Sequence, residues 1–187
     1  MTEPLRIVAV VGSLRRESYT RRIVLALKQL VPASMLIQEA VIGSLPLYNE
    51  DDDLGAPPPA WQAFRDQVAG ADAVLFATPE YNRSMPGVLK NAIDVGSRPY
   101  GASVWNGKPA AVLSASPGAL GGFGANHHLR QCLVFLNVPV MQQPEAYVGR
   151  VDQVLDDGAQ GMPRDAAAFL KEFGGAFEQW VRRIRGQ

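Results

Sequence analysis

The sequence predicts a single α/β domain, residues 1–187, built on a doubly wound sheet of five parallel strands with helices on both faces. Short, wholly apolar strand patterns alternate along the chain with amphipathic helical patterns. Wholly apolar strands are typical of a parallel sheet covered on both faces, and parallel strands need crossover helices between them. A chain of 187 residues with 47% hydrophobic content is most simply one compact domain.

The first two strands and the helix between them follow from hydrophobic periodicity. Residues 7–11 form a fully apolar strand. The next helix has apolar residues at helical spacing until Pro32 stops it, and a short strand follows near residues 35–37. The stretch 43–59 is rich in proline and acid, and we interpret it as a loop whose acidic turn, residues 50–53, is solvated.

The middle of the chain supplies one more strand between two helices. A helix over about residues 60–68 ends before Gly70 and leads into the apolar strand 73–77. The following helix begins near Pro86, because proline is favoured in the first helical turn.

The last third of the chain completes the alternation. The fourth strand, residues 110–113, leads into a glycine-rich loop, residues 114–124, and a helix that runs to about Leu136. Residues 138–140 are predicted as a short fifth strand. The final helix, residues 165–184, ends in arginines that complement the negative end of its dipole.

The chemistry of the strand ends supports one particular strand order. In the flavodoxin-like order 2-1-3-4-5, strands one, three and four are neighbours, and ligands bind outside their carboxyl ends. The loops after these three strands would therefore line one crevice. They are also the loops with the most unusual residues, so we expect this topology.

The loop after the first strand, residues 12–20, is suited to an anion because it opens onto a helix N-terminus. Ser13, Ser18 and Thr20 add hydroxyl groups, and Arg15 adds a fork of donors for phosphate oxygens. The simpler alternative is that Ser18 only caps the helix and the arginines are solvated. Positive charge is concentrated on Arg15, Arg16, Arg21 and Arg22.

The sequence lacks the motifs of other phosphate-binding proteins and of hydrolases. This loop lacks the lysine and second glycine of a P-loop, and neither the GxGxxG dinucleotide fingerprint nor the Gly-x-Ser-x-Gly elbow is present. The single cysteine, Cys132, excludes an internal disulfide and a cysteine phosphatase loop, and its helical neighbours predict a buried core residue.

The loop after the third strand, residues 79–87, is suited to a flat heterocycle. Tyr81 offers a flat apolar surface and Asn82 offers both donors and acceptors. A carboxylate beside a ring that becomes anionic on reduction is unfavourable, so we expect the backbone amide of Glu80 to face the ring. A plain surface turn is the alternative. With the glycine-rich third loop, a phosphate pocket beside a flat-ring pocket describes FMN.

Three motifs closely resemble the NADPH-dependent FMN reductase family: GSLRR at residues 12–16, TPEYN at 78–82 and PGVLKNAID at 86–94. Residues 128–131 and 133–136 look like the quinone and chromate reductase branch of that family. The resemblance covers most of the chain, and it is weakest around residues 40–60 and 145–165.

The resemblance implies a site of three parts. The FMN phosphate and ribityl end would be held by Ser13, Arg15, Ser18, Tyr19 and Thr20. The isoalloxazine would be lined by Pro79, Glu80, Tyr81, Asn82 and Arg83, and its far side by Ser116, Pro117 and Gly118. Two positions depart from the pattern: Thr20 stands where many relatives have Asn, and Val95, where relatives often have Trp, could change the surface near the flavin or a subunit contact.

The resemblance also implies a ping-pong reaction with bound FMN and NADPH or NADH as co-substrate. Hydride would reach N5 of FMN, and an oxidant would then take the electrons at the same open face, with no catalytic side chain and no metal. Quinones, free flavins, azo and nitro compounds or chromate could be the acceptor, and Arg83 is a candidate for favouring NADPH or an oxyanion. His127 and His128 are expected to have polar or interface roles.

Two alternatives stay open from the sequence. A flavodoxin-like electron carrier would bind FMN without turning over NAD(P)H, although such carriers usually have a strongly acidic surface. Here Lys plus Arg and Asp plus Glu both number 18, so the net charge is zero. A nonenzymatic sensor or binding protein is the other alternative, because fold alone does not fix function.

The remaining expectations concern partners and location. The helix around Cys132 is apolar on one face and also has Val134 and Phe135 outside that face. Such a helix is typically buried on more than one side, so we expect a homodimer, with pairing into a tetramer as an extension. The zero net charge predicts neither a nucleic-acid nor a membrane partner. With no span or signal peptide recognised, a cytoplasmic protein is expected.

Overall fold

The computed structural model describes residues 3–155 and 162–187. Within them, a five-stranded parallel sheet has the order β2-β1-β3-β4-β5. The predicted flavodoxin-like fold class is therefore confirmed. The strands are β1 (Leu5–Val11), β2 (Met35–Glu39), β3 (Ala73–Thr78), β4 (Ala110–Ala115) and β5 (Ala146–Val148).

Helices cover both faces of the sheet. They are α1 (Tyr19–Leu30), α2 (Glu50–Asp53), α3 (Pro59–Ala69), α4 (Gly87–Gly96), α5 (Phe123–Phe135), α6 (Val151–Val154) and α7 (Arg164–Arg185). The long helices agree with the periodicity, whereas the four-residue helices α2 and α6 were not predicted. None of the described helices is long and apolar enough to cross a membrane.

The strands are wholly apolar because the sheet separates two hydrophobic cores, one on each face. Along β3, Phe76 packs in the core with α3, α4 and α5, whereas its neighbour Leu75 packs in the core with α1 and α7. Successive side chains of a strand point to opposite faces, so a sheet covered on both faces needs apolar residues at every position. The carboxyl ends of β1, β3 and β4 consequently end side by side at one edge, where Val11 pairs with Ala77 and Thr78 with Ser114.

The predicted position of the fifth strand was wrong. The pairing with β4 is a ladder over Ala146–Val148, while in the predicted segment, residues 138–140, only Val140 makes an isolated bridge to Ala110. The physical reason is proline: Pro139 and Pro144 have no N–H group to donate to a ladder. The segment starts along β4, leaves it, and pairs again only after Pro144.

The acidic turn, residues 50–53, was expected to be solvated, and this expectation was wrong for its last residue. It forms α2, and the side chain of its last residue, Asp53, is only 4% exposed. Both carboxylate oxygens accept hydrogen bonds from Arg65 of α3, at 2.8 and 2.7 Å. Arg65 also donates from Nε to the carbonyl of Val95. This buried ion pair ties the loop before α3 to α4.

Two smaller expectations also change. Cys132 is half-buried rather than buried, and it packs against the edge of the core with α3, α4 and α5. Burial raises the pKa of its thiol. Val95 is fully buried in the same core, so this position presents no side-chain surface to a cofactor or a second subunit.

Candidate functional site

A cleft of about 100 Å³ lies at the carboxyl ends of β1, β3 and β4. Ten of the thirteen predicted site residues line it, together with Ala115: Ser13, Arg15, Ser18, Tyr19, Thr20, Pro79, Glu80, Tyr81, Ser116 and Pro117. The volume is below the roughly 300–1,000 Å³ that encloses a whole ligand, so the cleft would hold one end and leave the rest near the surface.

The first wall of the cleft is the N-terminus of α1. Ser18 caps this helix, because its Oγ accepts a hydrogen bond from the backbone N–H of Arg21 at 3.2 Å. The N–H groups of Tyr19 and Thr20, in the first helical turn, have no acceptor within the helix. The side chains of Ser13, Ser18 and Thr20 are buried here. Capping and a ligand role are therefore compatible for Ser18.

Arg21 fixes the shape of this loop, a role that the sequence analysis missed. Its Nε donates to Glu39 at 2.9 Å, and its other nitrogens donate to the carbonyls of Ser13 and Arg15, both at 3.0 Å. Arg22 donates to the carbonyl of Leu155. Of the four clustered arginines, only Arg15 lines the cleft, so it is the cation available for an anion.

The second wall is a tight turn after β3. Tyr81 and Ser84 exchange both backbone hydrogen bonds, at 2.9 and 3.0 Å. The central residues Asn82 and Arg83 have φ values of 52° and 64°, the signature of a type I′ turn. Asparagine tolerates this region better than arginine does, so the turn is strained at Arg83. Tyr81 stands half-exposed at the rim.

The carboxylate of Glu80 reaches the N-terminal turn of α5. It accepts a hydrogen bond from the N–H of Ala125 at 3.1 Å and one from the Arg83 guanidinium at 2.8 Å. The carboxylate is therefore engaged by α5 and Arg83, and the expectation that the backbone amide of Glu80 faces the ring stays a prediction. The contact with Ala125 could not be predicted from local sequence patterns, because 45 residues separate the partners.

Three predicted residues do not line the cleft: Asn82, Arg83 and Gly118. Asn82 and Arg83 are the central residues of the turn, and the Arg83 side chain is 78% exposed. Gly118 lies in the third loop, where its N–H donates to Ser116 Oγ at 3.1 Å. Asn82 and Gly118 are the chain neighbours of Tyr81 and Pro117, which line the cleft, and Arg83 is bonded to Glu80, which also lines it.

The third loop depends on glycines in its second half. Gly121 and Gly122 have φ values of 59° and 79°. A Cβ on Gly121 would come within 2.6 Å of the Tyr147 backbone, so only glycine allows the loop to pass so close to β5. The buried Asn126, also missed from sequence, donates to Ser114 Oγ at 3.2 Å and holds α5 to the end of β4.

The two histidines of α5 have separate partners. His127 Nε2 lies 2.9 Å from the Tyr147 hydroxyl, which also donates to Glu145 at 2.8 Å. Burial and this bond to Glu145 raise the pKa of Tyr147 to about 12. His128 Nδ1 lies 2.7 Å from Ser84 Oγ. Within residues 3–155 and 162–187, no three His, Cys, Asp or Glu residues form a group that could hold a metal ion.

A larger cleft of about 700 Å³ lies at the opposite edge of the sheet, near the amino ends of the strands. It is less suited to a ligand than the smaller one. Its central carboxylate, Asp72, is already bonded to Arg185 at 3.0 Å and to the backbone N–H of Arg6 at 2.7 Å. In open α/β sheets ligands bind at the carboxyl ends of the strands, which is where the smaller cleft lies.

The donor set of the smaller cleft fits FMN. Hydroxyl groups, the Arg15 guanidinium and a helix N-terminus at one end suit a phosphate. Tyr81 and the backbone of the turn offer a flat, partly open surface at the other end. A ligand with a phosphate at one end and a planar ring at the other would use both.

Comparisons with known proteins agree with FMN as the cofactor. The profile of a family described as NADPH-dependent FMN reductase matches residues 5–153. A quinone reductase of Pseudomonas putida is 54% identical over 185 residues, which is 99% of each chain. A 2-hydroxy-1,4-benzoquinone reductase of a Burkholderia species is 44% identical over 181 residues, 97% of this chain and 98% of the relative.

A solved structure shows the same relationship. FerB, a flavoenzyme NAD(P)H:(acceptor) oxidoreductase from Paracoccus denitrificans, superimposes with a TM-score of 0.89 at 37% identity, covering 96% of this chain and 98% of its own. The chain is thus an oxidoreductase with FMN as cofactor and NAD(P)H as co-substrate, and the carrier alternative is not favoured. It belongs to the NADPH-dependent FMN reductase family.

Proposed function

We propose that this protein catalyses the two-electron reduction of quinones by NAD(P)H. The balanced reaction is NAD(P)H plus H⁺ plus quinone giving NAD(P)⁺ plus hydroquinone. The observation that carries the proposal is the single cleft at the ends of β1, β3 and β4, with an anion-binding end and an open, flat end. The names of the P. putida and Burkholderia relatives support a quinone as the acceptor.

The anion end would hold the FMN phosphate and ribityl chain. Ser13, Ser18 and Thr20 would donate hydroxyl hydrogen bonds, Arg15 would neutralise the phosphate charge, and Tyr19 would contribute its backbone N–H. Arg21 donates to the carbonyls of Ser13 and Arg15, so these oxygens would be occupied and would not repel the anion.

The open end would hold the isoalloxazine, which supplies the two-electron chemistry when FMN is bound. Its edge would lie along the turn formed by Pro79, Glu80, Tyr81, Asn82 and Arg83. The loop of Ser116, Pro117 and Gly118 would close the far side. Tyr81 stands at the rim, so the coenzyme and the acceptor would use the same exposed face in turn. Solvent at that face would supply the proton, and no side chain is needed as an acid.

Steady-state kinetics with NADPH and 1,4-benzoquinone on the FMN-loaded protein tests this proposal. Because both substrates would use one face, double-reciprocal plots at several quinone concentrations should be parallel. Free flavins, azo and nitro compounds and chromate would be compared by kcat/KM, and a quinone should give the highest value. Intersecting lines would contradict the shared face, and a higher kcat/KM for another class would contradict the quinone assignment.

We also propose that the single domain, residues 1–187, works as a homodimer that packs α5 against its mate. The support is the outer face of α5, where the side chains of Val134 and Phe135 are 76% and 85% exposed. A two-fold axis would cover this apolar face with the same face of a second copy. A tetramer would be a pair of such dimers.

Sedimentation of wild type, Phe135→Asp and Leu47→Asp tests the interface. Leu47 is a matched control, because it is an exposed leucine outside α5. Wild type and Leu47→Asp should sediment as dimers or larger, and Phe135→Asp as a monomer with unchanged circular dichroism. A monomeric wild type at micromolar concentration, or a dimeric Phe135→Asp, would contradict the proposed interface.

A further inference from the structure

The N-terminus of α5 lacks a side-chain cap from its own chain segment, although the backbone N–H of Phe123 donates to the carbonyl of Leu120 at 3.1 Å. Its N-cap residue, Gly122, has a left-handed backbone and no side chain to accept a hydrogen bond. A helix leaves its first N–H groups without intrahelical acceptors, and a nearby side chain normally satisfies one of them. Here the acceptor for Ala125 N–H is Glu80 Oε2, at 3.1 Å. Glu80 therefore caps α5 from another part of the chain.

Two further contacts join the turn to the same end of α5. Gly124 lies so close that a Cβ there would be 3.0 Å from Glu80 Oε2 and 3.2 Å from the Arg83 carbonyl. One helical turn later, Ser84 Oγ lies 2.7 Å from His128 Nδ1. A hydroxyl can donate to a neutral imidazole or accept from a charged one, so this contact can form in either protonation state.

Glu80 also connects this junction to the cleft. Its side chain is only 12% exposed and bonds to α5, whereas Pro79, Glu80 and Tyr81 line the cleft. Its negative charge is balanced by the Arg83 guanidinium at 2.8 Å and by the positive end of the α5 dipole. Loss of the carboxylate would remove the tie at Glu80 and leave Ser84–His128 as the remaining side-chain contact between the turn and α5.

We propose that Glu80 is a positioning residue that fixes the ring end of the cofactor site by capping α5. The inference rests on the proposed function, because the ring end is assigned there. The carboxylate does not need to touch the flavin to act. It determines where the backbone of the turn lies, and the backbone meets the ring.

The test measures dissociation constants for FMN and riboflavin by quenching of flavin fluorescence. Glu80→Ala should weaken both ligands by on the order of tenfold, about the free energy of one lost helix cap. The ratio of the two affinities should stay within about twofold, because the phosphate end is untouched. Glu80→Gln keeps an oxygen for Ala125 N–H, so it should bind both within about threefold of wild type. Gly124→Ala would push on Glu80 Oε2 and the Arg83 carbonyl by a few tenths of an ångström, so it should weaken both flavins in the same ratio, but less than Glu80→Ala does, without removing a charge.

Glu178→Ala is the matched control. Glu178 is a similarly buried glutamate bonded to an arginine, on α7 and outside the cleft. It should lower the melting temperature but leave both affinities unchanged. Circular dichroism would establish that each variant is folded.

Folded Glu80→Ala and Gly124→Ala variants that bind both flavins like wild type would overturn the inference, as would a Gln variant no better than Ala. A loss for FMN alone would assign Glu80 to the phosphate end and also overturn it. Wild type that binds no flavin would instead overturn the proposed function. The two failures are therefore distinguishable.

Discussion

The two ends of the cleft are built in different ways. The anion end, residues 13–20, is held mainly by neighbours in sequence: Ser18 caps its own helix, and Arg21 reaches back to Ser13, eight residues away. The ring end, residues 79–84, is held by α5, whose contacts with Glu80 and Ser84 cross 45 and 44 residues. The anion end is thus a local structure, whereas the ring end depends on tertiary packing.

This difference predicts how substitutions at each end would change flavin binding. Damage to the anion end should be specific to the phosphate, because the loop keeps its neighbours. Damage to the ring end should follow from any change that moves the turn, α4 or α5 relative to one another. The substitutions below separate these two outcomes, in order of decreasing effect.

The largest effect is expected from Asp53→Asn, in the ion pair that holds α4, the helix that follows the turn at the ring end. It leaves Arg65 buried without its carboxylate partner, and Arg65 also holds the C-terminal end of α4 through Val95. Removing one partner of a buried pair costs about 3–5 kcal/mol of the free energy of unfolding. Urea denaturation at pH 7 measures this cost. Asp51→Asn, at an exposed acid of the same short helix, should change it by less than about 0.5 kcal/mol.

The same pair predicts a pH dependence. The hydrogen bonds from Arg65 lower the pKa of Asp53 in the folded protein. Its stabilisation is therefore fully present above the pKa of an unfolded aspartate, about 3.9, and is lost as the pH falls through the folded value. The difference in unfolding free energy between wild type and Asp53→Asn should stay constant from pH 7 to about 5 and shrink below about pH 4. A difference that shrinks between pH 7 and 6 would contradict this assignment.

Arg15→Ala should have the second largest effect, and it tests the anion end. A lost hydrogen bond to a charged group is worth about 1.5–3 kcal/mol, so FMN affinity should fall by roughly 10- to 100-fold. Riboflavin, which lacks the phosphate, should bind nearly as before. Arg16→Ala is the matched control, because Arg16 is exposed and does not line the cleft. Equal losses for both flavins would contradict the phosphate role.

Ser18→Ala should cost about 1 kcal/mol of stability through the lost helix cap. It should also weaken FMN more than riboflavin, because the same hydroxyl faces the anion end. Thermal unfolding and flavin titration measure the two effects. Ser103→Ala, which removes a hydroxyl from a residue outside α1 and the cleft, should leave both affinities unchanged. A Ser18→Ala variant with lower stability but an unchanged FMN to riboflavin ratio would make Ser18 only a cap.

The smallest effect is expected from Arg83→Ala. Arg83 is largely exposed and already paired with Glu80, and exposed ion pairs are worth about 0–1 kcal/mol. If it favours NADPH, the ratio of kcat/KM for NADPH to that for NADH should fall by less than about fivefold, and the change should fade at high salt. Arg183→Ala on α7 is the control. An unchanged ratio at low salt would remove Arg83 from coenzyme choice.

Much of the fold could be predicted because its signals are local. Apolar strands, helical spacing and proline stops define most elements, and the strand order follows from which loops carry polar groups. The fifth strand was misplaced because the apolar pattern of residues 138–140 outweighed the missing N–H of Pro139. The acidic turn was misjudged because its partner, Arg65, lies twelve residues on, in another helix.

The three loops of the site could be predicted from the sequence. The residues that hold those loops in place could not. Ser18 followed from its position before α1. In contrast, the supporting roles of three residues depend on which segments meet in the folded chain: Arg21, Asn126 and Glu80. No spacing in the sequence indicates that Glu80 reaches Ala125.

The most direct test of the central claim follows the flavin spectrum of the FMN-loaded protein without oxygen. Addition of about one equivalent of NADPH should bleach the flavin bands, and about one equivalent of 1,4-benzoquinone should restore them with formation of hydroquinone. Bound flavin that NADPH cannot bleach would contradict the claim and return the protein to the class of electron carriers. Flavin that is bleached but not restored by any quinone would contradict the proposed acceptor.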